Sequence, residues 1–364
     1  MPKLMPGIIF ALLVAAIGSF LADQLSVFVA GLSGINPSDK NAHHLVSGIS
    51  LAVIGGLFVR NVFGVAEVMR PGISWTLKTG LRTGIVLLGF KLALGTTGDI
   101  SGKALPVVVA CIVTAFIVVT FFNNRLRLPP RLGALVAVGT SICGVTAIVA
   151  MGPAIDADEN ETSYAVACIT IFGLLALFTY PWLAWRFFHA DPLLAGIFLG
   201  TSIHDTSQVA GAGMIYQEAF NEPVVLLAAT VTKLIRNMSM AVLIPIVAAR
   251  FGRTGGGQDG SFSLRRIKDA IPGFVLAFLG AIALRSLGDA LFSTGAFSGW
   301  WAGWLESANW ISKWALAGAL AGIGLNTDIL KLKGLGVKPL LVGFVAAAVV
   351  GLVSFTSLTF MYAR

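Results

Sequence analysis

Eleven apolar runs, each long enough to cross a hydrocarbon layer about 30 Å thick, divide this chain from end to end. They fall at residues 4–22, 44–62, 77–96, 105–122, 132–152, 163–187, 193–213, 224–249, 270–288, 310–326 and 338–361. Inside lipid every backbone N–H and C=O must find a partner within the segment, so such runs have to be helices. Only 12% of the 364 residues are charged, about half the share of a soluble domain. The chain is read as an all-α integral membrane protein.

The loops test the count independently. Lys3 precedes run one, Arg60, Arg70 and Lys78 follow run two, and Arg125, Arg127 and Arg131 follow run four. Arg186 follows run six, five basic residues between Arg250 and Lys268 follow run eight, and Lys331, Lys333 and Lys338 follow run ten. The intervening loops are acidic or neutral, with Asp156, Asp158, Glu159 and Glu161 after run five and Glu218 and Glu222 after run seven. By the positive-inside rule the N-terminus is cytoplasmic and the C-terminus outside. Trp75, Trp182, Trp185, Trp300, Trp301, Trp304 and Trp310 stand near run ends, where interfacial anchors belong. The net charge of +8 is thus a topology signal, and with no basic patch interleaved with aromatics no nucleic-acid partner is expected. Run one is long for a signal-peptide core, and Phe20 stands where a cut at Ala22 would need a small residue, so it reads as a retained helix.

An odd count fits one extra N-terminal helix (residues 1–30) and two five-helix repeats, residues 40–190 and 191–364. Five crossings per repeat would invert the second against the first, an arrangement that places a transporter's site at the midplane. The glycine-rich stretch at residues 252–263 lacks the Lys-Ser or Lys-Thr of a phosphate loop and reads as a cytoplasmic linker.

Two runs are interrupted at mid-depth by glycines and hydroxyls. One carries Gly139, Thr140, Ser141, Ile142, Cys143, Gly144; the other carries Gly200, Thr201, Ser202, Ile203, His204, Asp205, Thr206, Ser207, Gln208. Paired polar breaks of this kind point to a transporter's binding site, and an intramembrane carboxylate such as Asp205 is a functional residue by default. Counted at 1.5 Å per residue, Asp205 and Arg236 lie about 18 and 20 Å from the cytoplasmic ends of their runs, and Lys233 shares a face with Arg236. An Asp205–Arg236 ion pair locking two helices would leave Lys233, His204 and the hydroxyls without a role. Two cations against one carboxylate leave an excess that an anion would balance. Unwound backbone N–H groups, half-helix N-termini and the hydroxyls of Thr140, Ser141, Thr201, Ser202, Thr206 and Ser207 suit a tetrahedral oxyanion. Cys111, Cys143 and Cys168 lack metal-ligand spacing and read as small buried side chains.

The two breaks, with Lys233, Arg236 and Asn237 downstream, resemble the YeiH-type sulfate exporter family from about run two to the C-terminus. That resemblance implies a bacterial inner-membrane transporter of the superfamily holding bile-acid sodium symporters and sodium/proton antiporters. It further implies inverted repeats and two crossing discontinuous helices, which by position would be run five, broken near residues 139–144, and run ten, broken near residues 322–326.

The expected function is secondary-active transport of a small anion, sulfate or a related sulfur oxyanion, with protons carried by Asp205 and His204. Its binding set is Thr140, Ser141, Cys143, Gly144, Thr201, Ser202, His204, Thr206, Ser207, Lys233, Arg236 and Asn237. The competing reading is a cation/proton antiporter in which Asp205 binds the ion. An intramembrane hydrolase finds no Gly-x-Ser-x-Gly or His-Glu-x-x-His, so no enzyme activity, metal or cofactor is expected. The partners expected are the anion, a coupling proton or sodium ion, and the bilayer, with a homodimer left open.

Overall fold

The computed structural model describes residues 3–32, 46–251, 273–294, 297–329 and 337–362. The linker at 252–263, and with it His43, His44, Lys331 and Lys333, lies outside the described residues. Among those described the secondary structure is all helical: α1 (Met5–Leu32), α2 (Gly48–Phe58), α3 (Arg70–Trp75), α4 (Leu81–Leu88), α5 (Leu94–Arg125), α6 (Pro130–Ser141), α7 (Val145–Ala154), α8 (Glu159–Phe188), α9 (Pro192–Ser202), α10 (Thr206–Phe220), α11 (Pro223–Met238), α12 (Met240–Arg250), α13 (Gly273–Phe292), α14 (Ser298–Asn326) and α15 (Val337–Tyr362). Among the described residues six stretches are long and apolar enough to cross a membrane: Met5–Val29, Leu94–Arg125, Glu159–Phe188, Pro223–Arg250, Gly273–Phe292 and Val337–Tyr362. The other five expected runs fall on α2, on α4 with the π-helical turn Thr76–Gly80 before it, on α6 and α7, on α9 and α10, and on α14.

Local chemistry sets several of the boundaries. Asp158 caps α8 in a reciprocal box, accepting from Glu161 N at 2.7 Å while the Glu161 carboxylate accepts from Asp158 N at 3.0 Å. Asp191 does the same work for α9, accepting from Leu193 N and Leu194 N ahead of Pro192 at the first helical position.

The chain forms two compact units. The first comprises residues 1–97, 210–227 and 274–333. Here α2 lies against α14 with no side chain between the backbones, since a Cβ on Gly324 would come within 2.2 Å of the Val53 carbonyl oxygen. This close approach refines one expectation. α14 runs unbroken through Gly322 and Gly324 and stops at Asn326, where Thr327 turns extended; Gly324 serves helix packing rather than unwinding.

The second unit comprises residues 98–209, 228–273 and 334–364. Its core is apolar: Leu135 and Val138 of α6, Ile148 and Met151 of α7, Ile169 of α8 and Ala346 of α15 are buried together. Both polar breaks, and the parts of α10 and α11 that carry the candidate residues, belong to this unit. Each unit draws residues from both the 40–190 and 191–364 stretches.

Candidate functional site

The first break is three residues wide. α6 ends at Ser141, Ile142 leaves the helical region, and Gly144 at φ +67° turns the chain into α7. The second lies between α9 and α10, where Ile203 is extended and Asp205 opens the next helix. The two breaks touch. A Cβ on Gly144 would lie 3.1 Å from Asp205 Cα and 3.0 Å from Asp205 Oδ2, so only glycine lets the chains pass this closely at a positive φ. The discontinuous helices that meet are therefore the α6–α7 and α9–α10 pairs.

Every helix C-terminus leaves orphan carbonyls, and here two such ends are buried side by side. Lys233 and Arg236 of α11, both 0% exposed, reach into them. Arg236 donates from Nε to Ser141 O at 2.7 Å, from Nη1 to Thr201 O at 2.6 Å, and from Nη2 to Thr140 O. Lys233 Nζ donates to Ile142 O at 2.9 Å, to Ile203 O at 3.0 Å and to His204 O. One cation thus ties the end of α6 to the end of α9, and the second ties the two broken segments beyond them.

This geometry changes the electrostatic argument. The guanidinium spends its donors on carbonyls, and the Asp205–Arg236 ion pair weighed from the sequence is not formed. Two C-termini at about −0.5 each and ionised Asp205 offset the two cations, while the N-termini of α7 and α10 contribute about +0.5 each. A surplus of about one positive charge remains, and it lies with Lys233 and Arg236 at the two C-termini, because ionised Asp205 offsets the two N-termini.

Asp205 Oδ1 accepts from Ser207 N at 2.8 Å and from the Ser207 hydroxyl, so the carboxylate caps α10. Asn237 Nδ2 donates to Thr206 Oγ1 at 3.1 Å. His204 is buried. The hydroxyls divide into two kinds. Thr201 Oγ1 bonds back to Ile197 O at 2.7 Å and lies 2.6 Å from Ser354 Oγ of α15, so it is committed to structure. Thr140 Oγ1, Ser141 Oγ and Ser202 Oγ are buried with no hydrogen-bond partner, as are His204 Nδ1 and Asn237 Oδ1. Cys143 is a buried free thiol beside them. Such orphan atoms are costly and call for a ligand or ordered water.

Outside the expected set, Gln208 Oε1 and, against Gly200, Thr232 Oγ1 share this property. Gln208, three residues after Asp205 on α10, was legible by helical spacing. For Thr232 the signal was its place beside Lys233, and for Ser354 the sequence offered none. Thr146 is exposed, and Val145, Asp205 and Thr206 are half-buried, so the helix N-termini form the accessible side of the site. The breaks, Lys233, Arg236 and Asn237 are all brought together by the second unit.

A family model described as conserved hypothetical protein 698 matches residues 6–343. Among relatives, a UPF0324 membrane protein of Streptococcus pyogenes serotype M18 is 33% identical over 307 residues, covering 83% of this chain and 86% of its own. One from Nitratidesulfovibrio vulgaris is 28% identical over 349 residues, covering 93% and 88%. One from Yersinia pestis is 32% identical over 306 residues, covering 80% and 79%.

Proposed function

The chain belongs to the conserved hypothetical protein 698 family, a family of UPF0324 membrane proteins, and from that premise we propose that it is a secondary-active transporter of a small oxyanion, sulfate foremost. One observation carries the reading. The N-termini of α7 and α10 meet where Gly144 crosses Asp205, and buried, partnerless hydroxyls stand on Thr140, Ser141 and Ser202 just before the two breaks. A fully ionised oxyanion offers acceptors only and would satisfy these donors. The carbonyls that could coordinate a bare cation at the breaks are already held by Lys233 and Arg236, which weighs against the cation/proton antiporter. The resemblance to YeiH-type sulfate exporters supplies the sulfur oxyanion.

Lys233 and Arg236 act from behind in this scheme. They fix the two C-termini so that the opposing N-termini stay aimed at one place. Asp205 carries the coupling proton: ionised, it caps α10 through Ser207; protonated, it loosens that cap and removes a negative charge from beside the anion. His204 is the second candidate for proton transfer. The protein would act in a bacterial inner membrane, N-terminus inside, as a transporter and not an enzyme.

The test is sulfate flux in proteoliposomes under an imposed pH gradient. Wild-type protein should accumulate labelled sulfate faster with the gradient than without it, and Asp205→Asn should retain sulfate binding while losing the pH dependence. Movement of sodium or lithium without sulfate would replace this reading with the antiporter.

A further inference from the structure

The first unit holds a cavity unrelated to the crossed breaks. Its volume is about 510 Å³, and its lining includes Arg60, Asn61, Phe63, Gly64, Arg70 and Asp328. Beyond Phe58 the α2 helix widens into a π-helical turn, Val59–Phe63, that ends at Gly64 with φ +76° and ψ 174°. Only glycine adopts this conformation readily. The turn sets Arg60 at the cavity wall. Its Nη2 donates to Asp328 Oδ2 at 3.1 Å, yet its Nε is buried and has no partner. Asn61 also lines the cavity, donating to Leu57 O at 2.8 Å and Thr327 O at 3.1 Å while accepting from Ile329 N at 2.8 Å.

Among the described residues the lining sets Arg60 and Arg70 against the single carboxylate of Asp328. Arg70 also pairs with Glu67 at 2.7 Å, but both side chains are largely exposed, so that pair holds it weakly. Leading up to Arg60 is an exposed apolar stripe. Ile54, Phe58 and Val62, spaced four apart on one face of the helix, are 49%, 57% and 60% exposed. The Phe58 and Phe63 rings meet edge-to-face at 5.8 Å, and Phe63 lines the cavity. A soluble anion would have no use for that stripe, whereas an acyl chain would.

We propose that this cavity binds the phosphodiester headgroup of an anionic phospholipid, with the acyl chains lying along Ile54, Phe58 and Val62. The phosphate accepts from Arg60 Nε and from Arg70, which satisfies the buried donor. Basic pockets at the ends of membrane helices bind headgroups by this chemistry, and α2 places its guanidinium where its lipid-facing side ends. The basic loop that contains Arg60 and Arg70 assigns the site to the cytoplasmic leaflet.

The test uses the full chain in mixed phosphatidylcholine and phosphatidylglycerol bilayers, extracted and stripped stepwise of lipid, with retained lipid measured by native mass spectrometry. Wild-type protein should hold one phosphatidylglycerol. Arg60→Lys keeps the charge and the reach to Asp328 but lacks the Nε donor, and should lose about ten-fold or more in retention, the order expected for one charge-assisted hydrogen bond. Asp328→Asn frees the guanidinium and should hold the lipid at least as well. Retention equal to wild type in an Arg60→Lys/Arg70→Gln double variant would overturn the proposal, as would loss of the lipid in Asp328→Asn. In lipid-free detergent, inorganic phosphate should not raise the unfolding temperature; a rise matching that given by phosphatidylglycerol would reassign the cavity to a soluble anion. Sulfate flux in Arg60→Lys should match wild type, so the outcome here is separable from the function of the crossed breaks.

Discussion

Replacing Arg236 by alanine should unfold the crossed breaks rather than merely weaken a binding site. The side chain is fully buried, and its strong hydrogen bonds go to Thr140 O, Ser141 O and Thr201 O, with a weaker approach to Ile203 O at 3.4 Å. Removing it strands at least three carbonyls at two adjacent helix C-termini, in a place water does not reach. Each stranded group costs about 1–3 kcal/mol, and partial relaxation brings the total to roughly 3–5 kcal/mol, the range for breaking a buried charged partnership. A loss of about 4 kcal/mol is close to a thousandfold in the folding equilibrium. Arg236→Lys should recover only part of this, because one ammonium on a single stem cannot span the ends of both α6 and α9 as the planar fork does. The assay is equilibrium unfolding in mild detergent, followed by tryptophan fluorescence, for wild type, Arg236→Lys and Arg236→Ala. That order of stability is expected, with the alanine variant lowest. If Arg236→Ala unfolds within about 1 kcal/mol of wild type, less than one stranded carbonyl should cost, the capping argument fails.

The neighbouring hydroxyls should behave in opposite ways. Thr201→Val breaks the contact with Ser354 and should cost about 1 kcal/mol of stability with little change in sulfate affinity, whereas Ser202→Ala should leave stability intact and weaken sulfate binding several-fold; titration calorimetry beside unfolding curves separates the two. Gly144→Ala forces a Cβ to within 3.1 Å of Asp205 at a positive φ, so transport should be abolished and stability should fall by about 1–3 kcal/mol; wild-type flux in that variant would refute the close crossing. For topology, a cysteine at Gly256 should resist membrane-impermeant thiol reagents in intact cells, and one at Asn160 should react. The reverse pattern would invert the orientation.

The sequence made the positions of the breaks legible because helix interruption is written in residue type: Gly139 and Gly144, Gly200 and the polar run to Gln208 mark where α6 and α9 stop. It also made the buried cations conspicuous, since Lys233 and Arg236 have no business inside an apolar run without a partner. What it concealed was the partner. Carboxylates and hydroxyls appear as letters, so the cations were matched to Asp205 and to an incoming anion. The groups that take their hydrogen bonds are backbone carbonyls, which every residue carries and no letter announces. Such carbonyls become strong acceptors only when a helix ends inside the unit, and two ends become a site for one guanidinium only when the fold sets them side by side. The same limit blurs the second expected break. Gly324 looks like a helix breaker in the chain, but against Val53 it is the reason α14 can lie on α2 without interruption. A glycine in a membrane run therefore carries two opposite meanings, unwinding or close packing. At Gly144 the neighbouring polar residues tip it toward unwinding, whereas Ala321, Ile323 and Leu325 tip Gly324 toward packing, and α14 stops only at Asn326, where Thr327 and Asp328 follow. Polar company at the interruption, rather than the glycine itself, is the feature that tells a substrate-facing break from a packing face.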